Sequence, residues 1–498
     1  MRTQTMMSGY GAGLSTRCRM DLNADRFKQI AALSAAVLMV GYLALIATGE
    51  IGHVLADARP MDPWSAAIVA DGWRVAHGLP VYEPVTTGHA ALMYGPAQSY
   101  LLGALFLVLP ASKLVPEVLS VVASGALIGL GIVIARPFQN GTWLWLLGLS
   151  LLACEDRLAT FASGRPDMVA WCFGFLGLVF SYRARYCGGV ASAVASVALA
   201  MTAVLFKQPA AMLALVAPLM LVVDRPRDRI RRTAILAIAP LAGIGALFGL
   251  LYLISPTIVF YMVTVPQRFA ISRGAVVDGI AAAAAGAACL WFAIGWRLSL
   301  GGTPGEELGR RRRWLAATLA ICLPLAAVTA AKAGGGQNAY VPVWLGTVLL
   351  AFLLIAPADD RATGRLLGIA LALFVTFLPP SIAPVSRSFH YASFAQTDRN
   401  YRDVVAQVQR LSGRVASPDD PTILISAGRS PGRSIYVDED ALGWPGQLPA
   451  FDRDDLASAS YVVHDAGCWR EWLDPPQLQA LGFRLAWSDG QYSIWRRA

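Results

Sequence analysis

Long apolar runs separated by short polar clusters occupy the chain from residue 29 to about residue 380, and beyond that point the alternation stops. A helix needs about 20 apolar residues to cross the hydrocarbon core of a bilayer, within a range of roughly 17–25. Runs near that length lie at 29–48, 96–110, 113–135, 142–154, 167–183, 188–206, 207–223, 233–254, 275–297, 314–331, 339–356 and 365–380. The first follows a polar stretch of about 28 residues and is longer than the core of a signal peptide, so it reads as an uncleaved first span. The runs 96–110 and 142–154 are short for a crossing.

The remaining residues, 390–498, have a different rhythm. Within Asn400 to Leu411, the positions Val404, Val405, Val408 and Leu411 fall at helical spacing. Thr422 to Ser426 and Tyr461 to Val463 are short β-branched or aromatic runs that predict strands. Arg470 to Leu481 predicts a helix broken at Pro475–Pro476, and Phe483 to Trp495, with Asp489–Gly490 in its middle, predicts a closing hairpin. A segment of about 100 residues can build a modest core.

Composition agrees with the pattern: 56% of the 498 residues are hydrophobic and 15% are charged, against about 25% charged in soluble proteins. The net charge of +9 does not indicate nucleic acid. The basic residues form short clusters between apolar runs, such as Arg225, Arg227, Arg229, Arg231 and Arg232, or Arg310 to Arg313, and no basic face interleaved with aromatics is present. Such clusters hold loops on the cytoplasmic side of a bilayer. Arg17, Arg19, Arg26 and Lys28, then Arg183 and Arg185, then the loops 224–232 and 297–314, are therefore inside. The loop 49–95, the Lys207–Gln208 junction, the loops 255–274 and 332–338, and the tail after 380 fall outside. An even number of crossings must separate residue 95 from Asp167, so one of the two short runs does not cross. The expected fold class is a polytopic α-helical membrane protein of about eleven transmembrane helices with a small C-terminal α/β soluble domain. Its parts are a cytoplasmic tail (1–28), a transmembrane domain (29–385) with the extracytoplasmic loop 49–95, and an extracytoplasmic domain (390–498). The seven cysteines include no CxxC pair and no metal-ligand spacing.

The loop 49–95 carries Glu50, Asp57, Asp62, Asp71 and Glu83 together with His53, His77 and His89, carboxylates enough that it could hold a divalent cation. Asp62 precedes Pro63, an Asp cap followed by proline at the first helical position. Pro63 to Ala76 has a helical composition suited to lying along the membrane surface. A capping role for Asp62 and a catalytic one are compatible. Asp167 closes Gly164-Arg165-Pro166-Asp167 at the outer start of a run, where a carboxylate also complements the helix dipole. Lys207 interrupts an apolar stretch, either as a functional charge or as a lysine reaching for the interface. Lys332 opens a glycine-rich stretch ending in Gln337–Asn338, whose backbone N–H groups could cradle an anion. With Arg165 and Arg273 these groups map to one membrane face. A carboxylate base and several cations on that face suit a donor in which a sugar is linked to a lipid phosphate.

These residues resemble the GT-C superfamily of polyprenyl-phosphate-sugar-dependent glycosyltransferases, in particular the membrane families that include protein mannosyltransferases and the lipid A aminoarabinose transferase. The resemblance rests on an acidic extracytoplasmic loop after the first span, a G-x-x-x-Y element (Gly78 to Tyr82), a Y-x-P entry to the next span (Tyr94-Gly95-Pro96), an acidic residue opening a later span (Asp167), the Lys207–Gln208 and Gly334 to Asn338 stretches, and a soluble C-terminal domain. It covers most of residues 29–380 and departs from the family pattern in lacking a paired Asp-Glu in the loop. It implies transfer of a sugar from a polyprenyl-phosphate donor to a lipid, glycan or protein acceptor at the outer face of a bacterial inner membrane, without a required metal. It further implies Asp62 as base, with Asp71, Asp57 and Glu50 as substitutes, and Asp167 as the second catalytic carboxylate, which positions donor or acceptor. Arg165, Lys207, Gln208, Arg273, Lys332, Gln337, Asn338 and Tyr94 become substrate-binding. A transporter or lipid flippase would call for repeated architecture and paired interrupted helices, and neither is apparent. A non-catalytic membrane scaffold is the other alternative.

Overall fold

The computed structural model describes residues 63–86, 88–135, 163–224, 230–285, 305–332, 337–355, 391–442, 449–466 and 473–498, with isolated positions between 34 and 55. The runs 142–154 and 365–380 lie outside the described residues. Helix α1 (Pro63–Ala76) begins with proline, whose fixed φ suits the first helical turn. Pro63 and Ser65 through Gly72 are all buried, so this helix is enclosed by protein rather than laid on a bilayer with one face wet. It packs on α2 (Ala97–Phe106). That helix is ten residues long, about 15 Å at 1.5 Å per residue, against a hydrocarbon core of about 30 Å.

The helices that follow are α3 (Leu114–Ala135), α4 (Asp167–Tyr186) and α5 (Val190–Phe206). A 3₁₀ segment (Gln208–Leu215) then leads into α6 (Val216–Asp224), and α7 (Ile230–Ile254) comes next. Short helix α8 (Pro256–Val259) passes through a π turn (Phe260–Thr264) into α9 (Val265–Arg268). Helices α10 (Arg273–Ala285), α11 (Glu306–Ala330) and α12 (Val341–Ile355) complete this part. Among the described residues, three stretches, Leu114–Ile134, Thr233–Ile254 and Glu306–Ala330, are long and apolar enough to cross a bilayer, and shorter apolar helices lie at Val190–Phe206, Gln208–Val223 and Asn338–Ala351. Helices α4 and α5 form a hairpin in which Ser181 and Ser196 hydroxyls meet at 2.5 Å. Trp171, Phe206, Cys322, Trp344 and Leu345 share one apolar core that draws on α3 to α6, α11 and α12.

The C-terminal residues form α13 (Tyr391–Arg410), β1 (Val415–Ala416), α14 (Thr422–Ser426), α15 (Ile435–Leu442), α16 (Ala450–Ala457), β2 (Tyr461–Asp465), α17 (Pro475–Ala480), β3 (Phe483–Ser488) and β4 (Tyr492–Arg497). The sheet order is β1-β2-β4-β3. β1 runs parallel to β2, with Val415 opposite Tyr461, and the other pairs are antiparallel. The expected hairpin is present, and Gly490 turns it with φ 96°.

Two local expectations are corrected. Thr422–Ser426 is a helical turn and not a strand. The Asp420 carboxylate accepts the Thr422 N–H at 2.9 Å and its hydroxyl at 2.5 Å, which starts a turn, and burial of Ile423 and Leu424 overrides their strand preference. Pro475–Pro476 starts a helix instead of breaking one, because Asp474 caps it by accepting the Gln477 N–H at 2.8 Å.

The two parts of the chain meet at α15. Val437 and Ala441 pack in one cluster with Ile68, Leu92 and Tyr261. Arg268 donates to the Ala441 carbonyl at 2.8 Å, and Arg433 donates to the Val85 carbonyl.

Candidate functional site

A cavity of about 330 Å³ opens where α1, the loop at Met93 and Tyr94, the α5–3₁₀ junction, the α8–α9 segment, the end of α11 and α15 converge. Its walls carry the cations Arg165, Lys207 and Lys332, the polar groups Gln208, Thr329 and Asn338, the carboxylate Asp440, and the aromatics Trp64, Tyr94 and Phe269.

Lys207 stands at an interruption of the helix. α5 ends at Phe206, Lys207 is extended (φ −153°, ψ 124°), and the 3₁₀ segment begins at Gln208–Pro209. Pro209 lacks an N–H and crowds the preceding turn, so the α-helix cannot run through it. The Lys207 ammonium is 2.6 Å from Oδ1 of Asp167, the first residue of α4, and lies 4.7 Å from the centre of the Tyr94 ring. The side chain of Asp167 is 1% exposed and that of Lys207 13%. The lysine therefore faces the cavity and the aspartate sits behind it. Because each charge compensates the other, losing either one leaves an uncompensated buried ion.

Tyr94 is held there by backbone geometry. The Gly95 N–H bonds the Phe206 carbonyl at 3.2 Å, and a Cβ on Gly95 would stand 2.0 Å from the Leu205 carbonyl oxygen. Only glycine permits this approach, which accounts physically for the middle position of Tyr94-Gly95-Pro96. The Gln208 amide donates to the carbonyls of Met93 and, at 2.9 Å, Met262, and so ties the loop to the π turn.

Two more cations complete the wall. The Arg165 guanidinium lies 4.9 Å from the centre of the Trp64 ring. Lys332 donates to the Pro266 carbonyl at 2.8 Å, and a β-bridge pairs its backbone with Ile271. Burial pushes the Lys332 ammonium below its ordinary pKa. Asp440 reaches the cavity from α15, and its Oδ2 accepts the Trp64 indole N–H at 2.7 Å.

Of the residues singled out in the sequence, Tyr94, Arg165, Lys207, Gln208, Lys332 and Asn338 line this one cavity. Asp167 is in direct contact with it through Lys207. Arg273 starts α10, is exposed, and does not line the cavity. Gln337 begins a 3₁₀ turn (Gln337–Tyr340), and its side chain lies outside the described residues. Asp62, Asp57 and Glu50 also lie outside them. Asp71, the remaining substitute base, is 2% exposed and bound to His89 at 2.7 Å away from the cavity wall. Among the described residues, no group of three or more His, Cys, Asp and Glu is placed to hold a metal ion.

The sequence reading missed Asp440, Trp64 and Thr329 as cavity residues. Trp64 carried a signal, since it stands two positions after Asp62. Asp440 carried none, because only the docking of α15 brings it 376 residues back along the chain to Trp64. The Gly78 to Tyr82 element is structural in this setting. Gly78 ends α1 with φ 68°, and the Tyr82 ring packs 6.0 Å from that of Tyr261.

No protein-family model matches the chain, and no curated protein matches it in sequence. Solved structures do. ArnT from Cupriavidus metallidurans bound to undecaprenyl phosphate superposes with a TM-score of 0.60 at 15% identity, covering 92% of this chain and 97% of that one. ArnT from the same organism in the apo state gives 0.57 at 17% identity, covering 93% and 98%. At such identities the likeness establishes architecture, and it extends over nearly the whole length of both chains. The chain has the fold of these ArnT structures.

Proposed function

We propose that this protein is a GT-C glycosyltransferase that moves a sugar from a polyprenyl-phosphate donor to an acceptor hydroxyl on the extracytoplasmic face of a bacterial inner membrane. The observation that carries this reading is the gathering of Arg165, Lys207 and Lys332 on the wall of one cavity, in a fold whose solved example holds undecaprenyl phosphate. In a water-poor cavity, cations fixed before the reaction stabilise the charge that grows on a departing phosphate.

In the proposed reaction the acceptor oxygen attacks the anomeric carbon while the bond from that carbon to the phosphate oxygen breaks. The configuration inverts, the phosphate leaves toward the cations, and the acceptor proton passes to a carboxylate. Asp62 is assigned that base. Asp167 holds Lys207 at the phosphate. Gln208, Asn338 and Tyr94 border the donor. Arg273 is exposed and is assigned contact with the donor phosphate from outside the cavity. Arginine clusters on one side of the apolar runs set the N-terminus in the cytoplasm and residues 390–498 outside.

The test is transfer of radiolabelled sugar in membranes containing the wild type or Asp62→Asn, across a panel of polyprenyl-phosphate sugars. Label incorporated by the wild type and lost in the variant supports the reaction and the base. No incorporation from any donor rejects the reading.

A further inference from the structure

We propose that Asp440 is a specificity-determining residue of the cavity, through which the C-terminal region selects a sugar that is uncharged or cationic and rejects one bearing a carboxylate. The inference rests on the proposed function and adds the class of sugar.

Asp440 is the one carboxylate on the described cavity wall, across which Arg165, Lys207 and Lys332 supply positive charge. Left to the cations alone, this cavity would favour a uronic acid, whose carboxylate would add a second anion to the phosphate and compete for the same cations. A fixed negative group on the wall reverses that preference. It repels a carboxylate held in the same low-dielectric space and accepts hydrogen bonds from sugar hydroxyls or an amine.

Asp440 is fixed. It is 4% exposed, and the Trp64 indole N–H binds its Oδ2 at 2.7 Å. Its helix is held on three sides. The Tyr436 ring lies 6.0 Å from that of Trp64, Arg268 donates to the Ala441 carbonyl, and Val437 and Ala441 are buried against the membrane-side loop. A carboxylate seated this firmly cannot swing away from an unwelcome ligand. A cavity of about 330 Å³ is the size of a site for one small ring with its phosphate.

The experiment measures displacement of radiolabelled undecaprenyl phosphate from the purified full-length protein by two donors, an undecaprenyl-phosphate hexose and the matching hexuronic acid. The wild type should bind the hexose donor more tightly by on the order of 10- to 100-fold, the scale of one like-charge juxtaposition at short range. Asp440→Asn keeps an acceptor for Trp64 and removes the charge, and it should narrow that ratio about tenfold or more. Asp440→Glu should keep most of the ratio. Should the asparagine variant fail to fold, Trp64→Phe removes the donor that orients the carboxylate and should narrow the ratio as well. A wild type without preference between the donors, or a ratio unchanged in every variant, overturns the inference while leaving the proposed function standing. A wild type that binds no undecaprenyl phosphate overturns both.

Discussion

Two largely buried acid–base pairs in this protein look equivalent by distance alone. Lys207 meets Asp167 at 2.6 Å, and His89 meets Asp71 at 2.7 Å. Their surroundings differ. Lys207 spans from a helix interruption to the first residue of another helix, lies over the Tyr94 ring, and borders the cavity. His89 closes a loop back on α1, beside an Arg74–Glu83 pair at 3.1 Å whose Glu83 also accepts the His89 backbone N–H at 3.0 Å. Neither His89 nor Asp71 borders the cavity. Burial and pairing are thus common to a site and to its scaffold, and access to a ligand-sized space is what separates them.

The sharpest way to break this comparison removes both members of the first pair. In Lys207→Met alone, Asp167 is left charged and buried, which costs about 3–5 kcal/mol of stability. Adding Asp167→Asn removes the stranded charge. The double variant should therefore recover most of the melting temperature while transfer, read as kcat/KM, stays about 10²- to 10³-fold below wild type, the usual effect of deleting one preorganised electrostatic group. Recovery of both quantities together would make this pair scaffold as well.

The second pair should behave in the opposite way. Asp71→Ala leaves the buried His89 imidazole without its hydrogen-bond partner and should lower stability by about 1–3 kcal/mol, with the activity of each folded molecule within a few-fold of wild type. Thermal melting and active-site-normalised transfer rates check this. A specific activity loss equal to that of the Lys207 variants would place Asp71 in the chemistry.

What the sequence revealed of this arrangement follows the range of the forces involved. Apolar runs long enough to cross a bilayer were legible, because hydrophobic length is a local property; 113–135 and 233–254 appear as α3 and α7. Lys207 and Asp167 stood out because charge is rare in such runs, and Lys332 and Asn338, read from one glycine-rich stretch, line the same cavity. Asp440 was not legible. Its role comes from the docking of a helix that looks, locally, like any acidic turn. The fate of Thr422–Ser426 was hidden for a similar reason, since the Asp420 cap and burial of Ile423 outweighed β-branched preference.

A smaller effect sharpens the cavity side of the comparison without touching charge. Gly95→Ala places a Cβ against the Leu205 carbonyl, and the backbone must shift to relieve it. Because Gly95 adjoins Tyr94, on whose ring Lys207 rests, the shift moves both groups relative to a bound phosphate. Misplacement by about 1 Å can cost on the order of 10²-fold, and a loss of about 10-fold or more in kcat/KM is expected, read in the same transfer assay. Unaltered kinetics would show that the Tyr94–Lys207 stack does not need this close approach.

A last effect concerns the docking of the C-terminal region. Arg433 binds the Asp438 carboxylate at 2.9 Å and lies 3.5 Å from Asp452. Burial, together with the negative charge of Asp438, pushes Asp452 up to about 9, from an ordinary value of 3.8. Between those values the folded protein keeps a proton on Asp452 that the unfolded chain has released. The unfolded state binds fewer protons there, so this group makes stability fall as pH rises from about 4 toward 9, and the decline ends once the folded carboxyl ionises. Asp452→Asn fixes the neutral form. The variant should gain melting temperature relative to wild type as pH is raised from 5 to 8.5, by a margin that is smallest at the acid end. A margin that stays constant across this range would mean that Asp452 is already ionised in the folded protein, with Arg433 compensating both carboxylates.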